Sequence, residues 1–206
     1  MFSYIKTKNQ IGKSSYRALS QLLLIGLLQV LALCAWGQLS APVGTWRTHF
    51  NYKNATALTQ AGNLIYCATE QGLFYYDKTA GETTVLTKLD GLSNNKIAQI
   101  QIHPTLRVLI VGYTSGSLDL VQLDDNYEPT SQISTIRFIE ENTTILNSKK
   151  VSDINVYQNV AFMSYDFGLV VLDLVKKDIK ETYLYLGENG AALGVSQSLV
   201  LGNTLY

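Results

Sequence analysis

Three observations predict an all-β fold, and within it an incomplete β-propeller of about three four-stranded blades plus the start of a fourth. First, GLFYYD at Gly72–Asp77 returns as GLVVLD at Gly168–Asp173, with a degraded copy, Gly116-Ser117-Leu118, between them. The three glycines are spaced by 44 and then 52 residues. Second, each copy follows an apolar run (Leu64 to Cys67, Val108 to Val111, Val160 to Met163), with a small residue four positions before each glycine: Ala68, Gly112 and Ser164. Third, each unit holds three or four short runs rich in Val, Ile, Leu, Tyr and Phe, cut by turn signals such as Ala61-Gly62-Asn63. Several strands in a repeat of 40 to 50 residues is the pattern of a propeller blade.

Residues 1–37 are set apart as a secretory signal peptide. Lys6, Lys8, Lys13 and Arg17 make a basic lead without an acidic residue, Leu22 to Ala35 is almost wholly apolar, and Ala35-Trp36-Gly37 offers a small-residue cleavage site. The apolar run is short for a bilayer span, which needs roughly 20 residues. Export follows, to the periplasm or outer cell surface. The whole chain has 16 basic and 16 acidic residues, so loss of four leader cations leaves residues 38–206 with a net charge of −4. That balance, without a basic block, gives no electrostatic case for nucleic acid. Cys67 is the only cysteine left and lies among Ile65, Tyr66 and Ala68, which predicts a buried, inert thiol and no intramolecular disulfide.

The blade-like repeats run over about 53–96, 97–150 and 151–195, with 196–206 an incomplete fourth. Further upstream in each repeat come Ala57-Leu58, Ile97 to Ile102 and Val151 to Val156, each ending in a turn-forming stretch. In Leu64 to Ala68 both alternate sets are apolar, as a strand sandwiched between two blades requires. Gly72, Gly116 and Gly168 make turns, Leu73 and Leu169 open the next strand and fill the core, and Asp77 and Asp173 end it by bonding turn N–H groups. These are roles in the architecture. The small residues before the glycines allow close approach between blades.

Ser196 to Tyr206 (SQSLVLGNTLY) restates Leu58 to Tyr66, so the chain stops in the second strand of a fourth blade. Propellers close with about four to eight blades, so the sequence reads as the N-terminal part of a longer protein. Thr45 to Tyr52 (TWRTHFNY) is expected to supply an outer strand to the last blade. Residues 38–206 alone, with a bare blade face, are expected to be poorly soluble.

No catalytic, cofactor-binding or metal site is predicted, and the protein is read as a non-enzyme. His49 and His103 fall in different repeats without partners at metal-ligand spacing, and His103-Pro104 is expected at a surface turn. Asp124-Asp125-Asn126 lacks the glycine and distal glutamate of a calcium loop and is expected to be a solvated turn. Glu140-Glu141 has no cleft to serve.

KLDGLSNNKIAQI (Lys88 to Ile100) followed by LIVGYTSGSL (Leu109 to Leu118) resembles the exported two-component regulator propeller repeat. Asp90, Gly91, Leu92, Ser93, Ile97, Gly112 and Gly116 match, and Ile110 stands where that repeat has tryptophan. WRTHFNY, YCATEQGLFYYD and VSDINVYQNVAFMSYDFGLVVLDLVKKDIKETYLYLGENG are similar to the PorZ family of the type IX secretion system of Bacteroidetes. That resemblance implies two consecutive propellers and a C-terminal sorting domain. It also implies a non-enzymatic surface scaffold, whose partners are other attachment-complex proteins and a surface lipopolysaccharide. The alternative it leaves is the periplasmic ligand-sensing propeller of a hybrid two-component histidine kinase.

Overall fold

The computed structural model describes residues 54–206, together with Gln21, Leu24 to Gly26 and Gln29, which are helical and exposed. Among the described residues no helix is long and apolar enough to cross a membrane. The signal-peptide expectation, the Thr45–Tyr52 strand and His49 lie essentially outside the described residues.

The strands come in chain order as β1 (Ala55–Ala61), β2 (Leu64–Thr69), β3 (Gly72–Asp77), β4 (Glu82–Leu86), β5 (Ile97–His103), β6 (Val108–Tyr113), β7 (Leu118–Leu123) and β8 (Pro129–Ile136). A one-turn helix α1 (Phe138–Glu141) follows, then β9 (Val151–Tyr157), β10 (Val160–Tyr165), β11 (Gly168–Asp173), β12 (Asp178–Leu184), β13 (Val200–Leu201) and β14 (Thr204–Leu205). They form three antiparallel sheets of four sequential strands, β1–β4, β5–β8 and β9–β12, and the hairpin β13–β14. These are three blades and the opening hairpin of another. The first strands β1, β5 and β9 pack side by side.

Burial on both faces is clearest in β6, where alternate side chains enter different cores. Leu109, Val111 and Tyr113 join Leu64, Tyr66, Ala68 and Leu73 of the first sheet. Val108 and Ile110 join Ala161, Met163, Tyr165, Val170 and Leu172 of the third. At about 25 cal/mol per Å² of apolar surface removed from water, these two inter-blade layers supply the main cohesion. The outermost strands β4 and β12 are mostly exposed and carry Glu82, Asp178, Lys180 and Glu181, charges that suit a sheet edge.

Inner-strand side chains add polar links to the backbone of the next blade. Thr59 Oγ1 accepts from Ile102 N at 3.3 Å, and Gln99 Nε2 donates to Ser152 O at 2.9 Å. Asn155 Nδ2 donates to Ser198 O at 3.0 Å, Ser198 N donates to Asp153 Oδ2 at 3.2 Å, and Tyr157 Oη donates to Gly202 O at 2.9 Å. The β13–β14 hairpin therefore docks on the third blade by the same means that joins the second blade to the third.

His103 corrects its expected place at a surface turn. It is the last residue of β5 and only 6 % exposed. Its Nδ1 accepts from Leu106 N at 3.1 Å and its Nε2 pairs with Gln158 O of the next blade. The imidazole packs inward because it has two backbone partners, and Pro104 and Thr105 take the exposed turn positions.

Three first-strand hairpins close with two-residue loops, Gly62-Asn63, Gln158-Asn159 and Gly202-Asn203, whose leading residues have φ of 55°, 51° and 62°. Glycine adopts that conformation freely, whereas Gln158 carries a Cβ penalty. Gln158→Gly is expected to raise stability by up to about 1 kcal/mol, the relieved Cβ penalty less the extra chain entropy of glycine, read as a higher urea midpoint. Its carbonyl, the partner of His103, is retained.

Candidate binding face

The strand directions sort the connections onto two faces. One carries the β2–β3, β6–β7 and β10–β11 turns and the crossovers between blades; the other carries the first-strand hairpins and the β3–β4, β7–β8 and β11–β12 turns.

The predicted repeat residues are distributed across both. Gly168 opens β11 with φ 145°, and a Cβ there would lie 2.0 Å from Tyr183 O on the neighbouring edge strand. Gly116 has φ 91° in the β6–β7 turn, and Gly72 opens β3 opposite Thr69, whose hydroxyl donates to the Gly72 carbonyl at 3.1 Å. Leu73 is fully buried between the first two blades, and Leu169 is buried outside the Ala98–Leu174 cluster.

Asp77 Oδ1 accepts from Thr79 N at 2.7 Å and Ala80 N at 3.2 Å; Asp173 Oδ1 accepts from Val175 N at 3.0 Å and Lys176 N at 2.9 Å. The Lys176 N–H is the main reason the Asp173 carboxyl sits below its ordinary pKa. A depressed folded pKa makes this turn most stable above the unfolded value, and that support is lost as pH falls through the folded one.

Strand register refines the middle copy. Leu118 pairs with Gly112 as Leu73 pairs with Ala68 and Leu169 with Ser164. Ser117, not Gly116, therefore occupies the position of Gly72 and Gly168, and the turn is one residue longer. At the position of the two aspartates stands Gln122, whose Nε2 donates to Arg107 O at 3.0 Å. Of the three small residues, Gly112 sits at an interface: a Cβ there would meet Val151 of the next blade at 2.9 Å.

The crossover face holds a cavity of about 390 Å³ at the mouth of the first strands, lined by Thr56, Glu70, Gln71, Lys96, Thr114 and Lys150 among others. Its shape depends on a repeated irregularity. All three first strands shift register at the same place, between Ala55 and Ala57, between Ile97 and Gln99, and between Val151 and Asp153. The extra residues are Thr56, Ala98 and Ser152, and the first two line the cavity. Bulges re-aim side chains at strand ends and recur beside binding sites.

Lys96 and Lys150 stand immediately before β5 and β9, at equivalent positions of consecutive blades. Both are exposed, and neither forms an ion pair among the described residues. A second concavity on the opposite face, about 440 Å³, is lined by Asp77, Asp125 and Glu128. Asp77 there is engaged by its own turn and Asp125 by Arg107, while Asp124 Oδ1 accepts from Asn126 N and Glu128 N, both at 2.8 Å. Asp124-Asp125-Asn126 is thus a closed turn. Glu140 and Glu141 lie on α1. Cys67 is buried, which pushes its thiol pKa up.

One buried group was missed in the sequence. Asp119 in β7 is fully buried, with Oδ2 accepting from Tyr113 Oη at 2.6 Å and Ser93 N at 2.7 Å, and Oδ1 from Thr135 Oγ1 at 2.7 Å. Burial, then the adjacent carboxylate, raises the Tyr113 pKa. The available signal was an aspartate between leucines in LDLVQL, a strand otherwise bound for the core. In the third blade the matching residues are Tyr165 and Val170, and the buried Tyr165 hydroxyl has no partner among the described residues. Tyr165→Phe is therefore expected to be neutral or to stabilise by about 1 kcal/mol, while Tyr113→Phe costs about 1–2 kcal/mol. Urea midpoints of the two variants compare them directly.

The comparisons agree with this architecture. Residues 65–205 match the family described as TSS9, PorZ, N-terminal beta-propeller domain. The structure is similar to PorZ of Porphyromonas gingivalis, described as an essential bacterial surface component of the type IX secretion system. That similarity has a TM-score of 0.60 at 21% identity over 68% of this chain and 18% of that one. It is also similar to the extracellular domain of a hybrid two-component system from B. thetaiotaomicron, with a TM-score of 0.54 at 16% identity over 75% of this chain and 22% of that one. The computationally designed Ika4 protein gives a TM-score of 0.54 at 12% identity, covering 78% and 87% of the two chains. No curated protein matches the chain. The chain thus spans under a fifth of the length of the solved PorZ, and structural likeness at these identities carries the fold alone. The family match spans well over half of the sequence: the chain belongs to the PorZ N-terminal β-propeller family of type IX secretion.

Proposed function

We propose that this propeller is an exported, non-enzymatic scaffold of the type IX secretion and cell-surface attachment machinery, working through protein and surface-glycolipid binding at its crossover face. The observation that carries the reading is the family match over residues 65–205. The bulged cavity with its two exposed lysines supports the choice of face. Loops from successive blades converge there on a rigid frame, an arrangement suited to recognition. The basic leader and the surface location described for PorZ of Porphyromonas gingivalis support export. Deletion of the full-length gene is expected to abolish secretion and anchoring of cargo, measured by surface labelling and by cargo in the medium. Normal anchoring in the deletion strain overturns the reading. The likeness to two-component extracellular domains favours a second reading as a ligand-sensing propeller. A transmembrane helix and kinase core in the full-length protein would select it.

A further inference from the structure

The crossover from Thr87 to Lys96 leads from the first blade to the second and ends as a wall of the cavity. Its beginning is held locally: Thr87 Oγ1 accepts from Leu89 N at 3.1 Å, and Asp90 Oδ2 accepts from Thr87 N at 2.8 Å. Its end is held by Thr114 N, which donates to Lys96 O at 3.0 Å. The middle is tied to a distant, fully buried group, because Ser93 N donates to Asp119 Oδ2 at 2.7 Å.

A buried carboxylate requires compensating donors, and Asp119 draws its three from the crossover, from β6 and from β8. The next crossover, between β8 and β9, lacks this clamp and has another. Lys149 Nζ donates to Glu140 O at 2.9 Å and to Asn142 O at 2.8 Å, one residue before Lys150. In both blades a polar clamp with charge-assisted hydrogen bonds precedes the lysine that lines the cavity.

We propose that Asp119 is a positioning residue of the crossover face, fixing residues 93–96 and with them the Lys96 wall of the cavity. The functional part of this inference rests on the reading of that face as the binding face. Loss of the clamp would leave the sheets intact and release only the crossover, which is a local opening.

The test is amide hydrogen exchange on the full-length protein carrying Asp119→Asn, combined with cargo anchoring in cells. Asparagine keeps the volume but removes the charge: with its Nδ2 donating to the Thr135 hydroxyl, its Oδ1 meets Ser93 N and Tyr113 Oη as a neutral acceptor, a weaker one than a carboxylate. Exchange at 93–96 is expected to rise about tenfold or more, with β1–β2 and β9–β11 unchanged. Anchoring is expected to fall. Unchanged exchange at 93–96, or acceleration spread evenly over all three blades, overturns the proposal. Thr135→Val removes the Oδ1 partner and leaves the Ser93 contact, so a smaller acceleration at 93–96 is expected. An effect equal to that of Asp119→Asn would overturn the direct Ser93–Asp119 link. A loosened crossover with normal anchoring would uphold the positioning role and reject the face reading.

Discussion

Gly168→Ala is expected to lower stability by about 4 kcal/mol or more, enough to unfold the third blade in many backgrounds. Two effects combine. The added Cβ would lie 2.0 Å from Tyr183 O, a backbone atom of β12 that moves only if the edge strand leaves its register. The φ of 145° is also a conformation that L side chains rarely adopt. Gly81→Ala separates the two contributions, since Gly81 has φ 72° and open space around its Cβ position. It is expected to cost only about 1 kcal/mol. Urea unfolding of the full-length protein gives the comparison. Equal losses for the two variants would show that close contact with β12 is not what Gly168 provides.

Gly112→Val is expected to cost about 3 kcal/mol, through overpacking between blades rather than backbone strain. A Cβ at Gly112 would approach the Val151 side chain to between 2.9 and 3.1 Å, including its own Cβ, which a rotamer change cannot move away. Gly112→Val combined with Val151→Ala should recover part of the loss, because the two sites share one contact and alanine removes both Cγ atoms while keeping the Cβ. Absence of recovery in the urea midpoint of the double variant would place the damage elsewhere.

These two glycines show what the sequence made legible. Gly72 and Gly168, each followed by a leucine, open β3 and β11, and Gly112 lies close against Val151 of the next blade. Asp77 and Asp173 end strands by accepting turn N–H groups, as short carboxylates do wherever a turn exposes its donors. The middle copy misled because a one-residue insertion keeps a glycine nearby while moving the equivalent position to Ser117. Neither spacing nor composition reveals such a shift; the pairing of Leu118 with Gly112 does.

The candidate face was far less legible. Its bulges leave no residue-type signature, since Thr56, Ala98 and Ser152 have in common only that they are small and uncharged. Lys96 and Lys150 look like ordinary surface lysines until register aligns them. His103 was misread because its two backbone partners come from its own turn and from another blade, contacts that sequence distance conceals. Asp119 was visible as an anomaly in LDLVQL, but its meaning depends on Ser93 and Thr135, brought beside it only by the fold.

The most direct test of the central claim is surface-anchored cargo in cells whose full-length protein carries Lys96→Glu and Lys150→Glu. The matched control reverses Lys78 and Lys176, exposed lysines of the turns on the opposite face. With protein levels equal, reversal on the crossover face is expected to reduce anchoring about tenfold, as lost charge complementarity at a recognition surface does, and the control to leave it unchanged. Normal anchoring in the Lys96/Lys150 strain, or an equal loss in both, would contradict the account.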